Sequence, residues 1–203
     1  IRWRFQQWDE TIAADPVGRV AQLKEEISWI ESRRKEMLDF WSLVEDGTIP
    51  MHVTHNDTKI SNILFNASDG SMLCMIDLDT VMPSFVFSDF GDFLRTAANK
   101  VAEDDPRIEM VEFDMEIFKA FAKGYIESAS VFLTPVEREN LPYAAALFPY
   151  MQAVRFFADY INGDTYYKIK YPEHNLVRTR NQMALFRSVI EHLPQMKEYI
   201  SSL

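Results

Sequence analysis

Val20, Leu23, Ile27, Ile30, Met37, Trp41 and Val44 follow one another at three- and four-residue steps, apart from one seven-residue step, and so form a single helical stripe. Lys24, Glu25, Arg33, Arg34 and Lys35 mostly fall away from it, and the Arg33–Lys35 run reads as a solvated face. Asp15-Pro16 has the form of a helix start, Asp as the cap and Pro at the first helical position, where its missing N–H costs nothing. Gly47 has the form of a stop. The pattern therefore predicts one long helix opening at Asp15-Pro16 and ending near Gly47.

Between residues 51 and 80 the pattern changes. Ile63-Leu64-Phe65 and Met72-Leu73-Cys74-Met75-Ile76 are short apolar runs separated by Asn66-Ala67-Ser68-Asp69-Gly70, which predicts a β-hairpin. Beyond it Phe87–Lys100 and Ile108–Ser128 are amphipathic. Thr134-Pro135-Val136-Glu137 is a capping-box start that opens a helical region toward Ile161. Pro142 and Pro149 are expected to break or kink that region into more than one helix. A last helix is predicted from about Val177 to His192. The fold class expected is mainly α, one unit over residues 1–203, with a small hairpin buried among helices.

The chain has 203 residues and no internal repeat or low-complexity tract, enough for a core of its own. Its net charge of −10, from 21 basic and 31 acidic residues, argues against a nucleic-acid or anionic-membrane surface. No apolar stretch approaches the roughly 20 residues that span a bilayer. Cys74, the single cysteine, has no partner for a disulfide and lies in an apolar run, so a core position and a reducing cytoplasm are expected. The chain opens abruptly on Ile1 without an initiator methionine, as a fragment would.

The chemistry lies in His55-Asn56-Asp57-Thr58-Lys59-Ile60-Ser61-Asn62 and, one hairpin later, Ile76-Asp77-Leu78-Asp79. Phosphoryl transfer needs a carboxylate to orient the acceptor hydroxyl and take its proton, an amide oxygen for magnesium, and another carboxylate for metal. Asp57 and Asn62 have the spacing of a kinase catalytic loop. Lys59 can point a cation at the transferred group. Asp77 ends the second hairpin strand and so returns to where Asn62 left, with Asp79 close enough to be a second metal ligand. Hard oxygens from Asn62, Asp77 and Asp79 suit Mg2+, which borrows further ligands from the phosphates of ATP. His55 is read as a structural member of the loop.

Asp89-Phe90-Gly91 matches a protein-kinase metal triplet letter for letter, yet it stands well past the hairpin at the start of a helix. Asp89 and Asp92 are therefore read as groups that hold the catalytic loop through backbone hydrogen bonds. A glycine-rich phosphate loop is the missing part. The six glycines, at 18, 47, 70, 91, 124 and 163, never come within ten residues of one another. The lobe that covers the nucleotide is thus expected to precede residue 1.

The His-Asn-Asp-Thr-Lys form, the Cys74–Met82 run, and Phe87–Arg95 (FSDFGDFLR) together resemble the aminoglycoside phosphotransferase/choline kinase superfamily, and within it the N-acetylhexosamine 1-kinase branch. Arg155–Asp164 and Glu173–Arg178 extend the resemblance. It implies the C-terminal lobe of a protein-kinase-like fold and ATP-dependent phosphorylation of a small hydroxyl compound, at the anomeric position in the hexosamine branch. One departure is Ser84, where the resemblance leads one to expect glycine after Pro83.

Arg155, Asp159, Asp164, Tyr166, Tyr167 and His174 offer the mix of polar and aromatic groups that sugar sites use, and Arg155, Asp159, Tyr166 and His174 are the candidate acceptor contacts. Packing is the favoured reading of Tyr166 and Tyr167, and an i, i+4 ion pair would explain Arg155 with Asp159 equally well. Other acceptors (choline, ethanolamine, an amino acid, an aminoglycoside) keep the fold. A non-catalytic binding protein would have no need of Asp57, Lys59, Asn62 and Asp77 together. A metal-dependent hydrolase would want histidine ligands nearer one another.

Overall fold

The structure, a computed structural model, describes all 203 residues. The chain forms six α-helices and four short strands: α1 Arg2–Ala14, α2 Lys24–Glu45, β1 His52–Thr54, β2 Ile63–Phe65, β3 Met72–Met75, β4 Met82–Ser84, α3 Val86–Ala97, α4 Met115–Ala129, α5 Pro135–Ile161 and α6 His174–Ser202. Single 3-10 turns lie at Val20–Gln22, Ile60–Asn62, Leu78–Thr80 and Ile108–Met110. The protein is mostly helical, as the periodicity predicts. No helix is long and apolar enough to cross a membrane.

The core is built on α5 and α6, with α3 against α5 and α1 laid along α5. Trp8, Phe90, Phe118, Tyr150, Phe157 and Phe186 are fully buried in it. Trp8 meets Phe157 at 5.4 Å between ring centroids, which fixes α1 on α5. The Tyr150 hydroxyl donates to the Ile30 carbonyl at 2.9 Å and so ties α2 to the same helix.

Several boundaries differ from the pattern. Asp15 does not start a helix; it ends α1 in a left-handed conformation (φ 34°), and its Oδ1 accepts the N–H groups of Arg19 and Val20. Gly18, at φ 70°, breaks the turn that a helix from residue 16 would need, so α2 begins only at Lys24. Helix α4 begins at Met115, because the Asp114 side chain caps Glu116 and Ile117 there. Helix α5 opens on the expected capping box at Thr134 and Glu137, but runs unbroken for 27 residues through Pro142 and Pro149. Both prolines are buried, and tertiary packing along α5 outweighs the two missing amide bonds. Helix α6 extends ten residues past His192, through Pro194.

The hairpin forms as expected, with Ile63 opposite Met75 and Leu64 opposite Cys74. It is not buried among helices. Leu64, Phe65, Met72 and Leu73 are exposed, as is Cys74, so the thiol is not a core group. A second pair, β1 with β4, sets His52 opposite Ser84 and Thr54 opposite Met82. Ser84 is thus a paired strand residue, and nothing in its conformation requires glycine. Met51, Val53, Leu78, Val81 and Met82 are exposed too, so the segment from 51 to 82 presents most of the outward-facing large apolar side chains.

Candidate active site

Two small sheets bring two loops side by side. The β1–β4 pair joins the start of the first loop to the end of the second, and the β2–β3 pair joins the end of the first to the start of the second. The Ile76 N–H donates to the Asn62 carbonyl at 2.9 Å, which closes the seam between them. Residues 55–62 and 76–81 therefore lie together although a whole hairpin separates them in sequence.

Asp57 is the centre of this arrangement. Its Oδ2 accepts from Lys59 Nζ at 2.5 Å and from Asn62 Nδ2 at 2.9 Å, while the Asn62 amide also donates to the Asp57 carbonyl at 2.9 Å. Oδ1 has no partner within the protein and is the free face of the carboxylate. Lys59 is held between two acids, with Asp77 Oδ2 at 4.0 Å on its other side. Its pKa is raised, first by the hydrogen bond to Asp57 and, against burial, by the charges of Asp57, Asp77 and Asp92, so it stays an ammonium at neutral pH.

The loop is clamped from below. Asp89, in the first turn of α3, accepts the His55 N–H at 2.9 Å on one oxygen and the Asn56 N–H at 2.7 Å on the other. The Thr58 hydroxyl donates to the Asp89 carbonyl at 2.7 Å, and the Thr80 hydroxyl donates to the His55 carbonyl at 2.7 Å. His55 is buried, with Nε2 donating to the Ile76 carbonyl at 3.0 Å and Nδ1 accepting the Asp57 N–H at 3.3 Å. Nε2 joins the two loops, and Nδ1 braces the backbone of the first. Asp92 does not bond the loop backbone as expected of it; its carboxylate accepts from Arg95 Nε at 2.9 Å. Burial raises the Asp92 pKa, against the pull of Arg95, and the Asp57 charge adds to the rise.

Asn56 and Asp77 both sit at φ 64°, a left-handed conformation that costs most residues roughly 1–2 kcal/mol and that Asn and Asp tolerate best. With its Nδ2 turned to Asp57, Asn62 leaves Oδ1 unpartnered. Asp77 is half-exposed and Asp79 exposed beside it. No group of three or more His, Cys, Asp or Glu side chains forms a complete cage. An amide oxygen and two exposed carboxylates make a hard, incomplete oxygen set, which fits magnesium carried by phosphate.

Beside Asp57 opens a cleft of about 590 Å³, lined by residues of the catalytic loop, α1, α3, α5 and the 165–178 region. Arg155 and Tyr166 line it with Asp57 and Lys59. Asp159 and His174 do not. Asp159 accepts the N–H groups of Thr165, Tyr166 and Tyr167 and the Asn175 amide, so its carboxylate shapes the 162–167 turn. It makes no ion pair with Arg155, which donates instead to Gln152 at 3.1 Å. His174 is fully buried, Nδ1 accepting the Lys170 N–H and Nε2 facing Asp104, which leaves neither nitrogen for a ligand. Arg4, Arg95 and Arg178 also line the cleft; Arg95 and Arg178 close two of the stretches that carry the resemblance, whereas Arg4 stands in no motif. Thr58 and Thr80 carried a signal, since each adjoins a motif aspartate.

Residues 2–157 match the model of the phosphotransferase enzyme family, APH. The chain belongs to this family. The match takes in α1 through most of α5, and with them both loops, the Asp89 clamp and Arg155. APH members are phosphotransferases that act on small-molecule substrates, and the resemblance noted at the motifs is thereby shown at the level of the superfamily.

Proposed function

We propose that the protein transfers a phosphoryl group from ATP, with Mg2+, to a hydroxyl of a small molecule, an amino sugar of the N-acetylhexosamine type, yielding the sugar 1-phosphate. The observation that carries this reading is the state of Asp57: one oxygen is fixed by Lys59 and Asn62, and the other is free beside an acceptor-sized cleft. In this reading the free Oδ1 orients the acceptor hydroxyl and accepts its proton, which is geometry before pKa. Lys59 supplies positive charge next to the hydroxyl as it attacks. Asn62 Oδ1, Asp77 and Asp79 are the residues that would hold the metal. When bound, magnesium ATP supplies the phosphoryl group and neutralises charge on its phosphates.

The fold proposed is the C-terminal lobe of a protein-kinase-like enzyme, acting in the cytoplasm. The outward apolar face of residues 51–82 supports a nucleotide-covering lobe that packs there, supplied by sequence ahead of residue 1. On this view the 203-residue chain alone is inactive.

ADP release by the natural full-length protein tests the reading, with N-acetylglucosamine, N-acetylgalactosamine, choline, homoserine and kanamycin offered in turn. Turnover with an acetamido sugar that disappears in Asp57→Asn is the expected result. Turnover with another acceptor alone would keep the Asp57 chemistry and remove the sugar. Absence of Asp57-dependent turnover with all of them would favour a kinase-shaped binding protein.

A further inference from the structure

The chain is strongly acidic, yet the cleft beside Asp57 is not. Its lining carries five cations, Arg4, Lys59, Arg95, Arg155 and Arg178, against the three carboxylates of Asp57, Asp92 and Glu103. The carboxylates are already matched. Asp57 takes Lys59, Asp92 takes Arg95, and Glu103 takes Arg95 at 2.8 Å with Arg178 at 3.9 Å.

Arg4 and Arg155 are left over. Neither makes an ion pair; Arg4 donates to the neutral Gln7 amide at 2.9 Å and Arg155 to Gln152 at 3.1 Å. Flat rings hold both guanidinium groups in place, Trp3 under Arg4 at 4.5 Å and Tyr167 under Arg155 at 5.7 Å. The two lie close enough that, after burial, the charge of Arg155 is the main influence lowering the Arg4 pKa. Two like charges held in one partly buried cleft, neither with an ion-pair partner, are a standing cost, which an oxygen-bearing ligand relieves.

We infer that Arg4 and Arg155, from α1 and α5, are the acceptor-selecting pair: they take an oxygen substituent of the acceptor, an amide carbonyl or a carboxylate, and exclude acceptors carrying a free ammonium. The inference rests on the phosphotransfer reading for its cleft, and it goes further in choosing among the acceptors. It places choline and aminoglycosides outside the range of this protein. Arg guanidinium suits the task because its planar fork donates twice to one oxygen group.

Three pyranoses that differ in one substituent make the test: N-acetylglucosamine (carbonyl), glucuronate (carboxylate) and glucosamine (ammonium). Their binding to the full-length Asp57→Asn protein is measured by calorimetry, and KM and kcat are measured on the wild type. N-acetylglucosamine or glucuronate is expected to bind at least about tenfold more tightly than glucosamine. Arg4→Gln and Arg155→Gln, on separate helices, should each erase most of that difference, with KM moving more than kcat. Arg155→Glu should turn the preference toward glucosamine. Glucosamine binding as tightly as the other two, or selectivity unaltered in both Gln variants, would overturn the pair, as would failure of all three sugars to bind. Selective binding without turnover would support the pair while sinking the phosphotransfer reading.

Discussion

Asp89 and Asn56 are thirty-three residues apart, and the carboxylate of the first accepts the backbone N–H of the second at 2.7 Å. Because Asn56 is left-handed, this bond holds a conformation that the loop would not keep alone. Asp89→Asn removes a charged acceptor and turns an amide N–H toward a backbone donor. We expect a stability loss of about 1–3 kcal/mol in urea denaturation, and a fall in kcat larger than the rise in KM. A variant with wild-type kcat would show that the loop holds its shape without the clamp.

Lys59 touches Asp57 and stands 4.0 Å from Asp77. Lys59→Met keeps much of the side-chain length and loses the charge. Steady-state kinetics of the full-length protein should show kcat reduced roughly 10²–10³-fold. Unchanged kcat would make the lysine a spacer between two acids.

How far the sequence carried the fold depended on the kind of signal. The hairpin and the catalytic loop were legible because their residues are chemically marked: turn-formers at 66–70, and an Asp, a Lys and an Asn at fixed spacing. The bonding of Asp89 to the loop backbone was legible from its position, well past the hairpin at the start of a helix. Strands β1 and β4 were not legible, because three residues show no period and their pairing spans a whole hairpin. Helix α1 left a faint trace in Phe5, Trp8 and Ile12. The cleft beside Asp57 was hardest, because Arg4 and Arg155 come to line it together only after α1 packs on α5, and net charge along a chain says little about one cavity.

Gly91 belongs to the triplet that mimics a metal motif, and its use is steric. A Cβ there would come within 2.5 Å of the Ala144 carbonyl and of the Phe148 ring, so α3 and α5 approach as closely as they do because position 91 has no side chain. Gly91→Ala should cost about 1–3 kcal/mol by overpacking, read as a lower Tm. A wild-type Tm would mean that Phe148 and the α5 backbone yield without strain.

Asp92 gives a pH signature. Its carboxyl is raised above the ordinary 3.8, burial being the first cause. An acid raised in the folded state holds its proton more tightly there than in the unfolded chain. Its contribution to stability is therefore complete below about pH 4 and is lost as pH climbs through the folded value. Asp92→Asn cannot titrate, so wild-type stability relative to this variant should decline from pH 4 upward. Urea midpoints across pH 4–8 measure it, and a wild-type advantage that grows with pH would contradict the assignment.

Val53 is 77 % exposed and Leu73 62 % exposed, on different sheets of the 51–82 segment. Apolar surface of this kind drives association. Light scattering of the 203-residue chain should show concentration-dependent self-association, reduced in a Val53→Lys, Leu73→Lys double variant. A clean monomer at high concentration would mean that the two small sheets shield each other in solution.

Cys74 lies outward on β3, directly across from Leu64 and three residues ahead of Asp77. Being the only thiol of these 203 residues, it gives the chain a built-in attachment point for a maleimide dye or a spin label. A probe there would sit on the apolar face and next to the loop that carries Asp77 and Asp79. Its emission would register the arrival of a covering lobe or a nucleotide in real time, separately from any turnover.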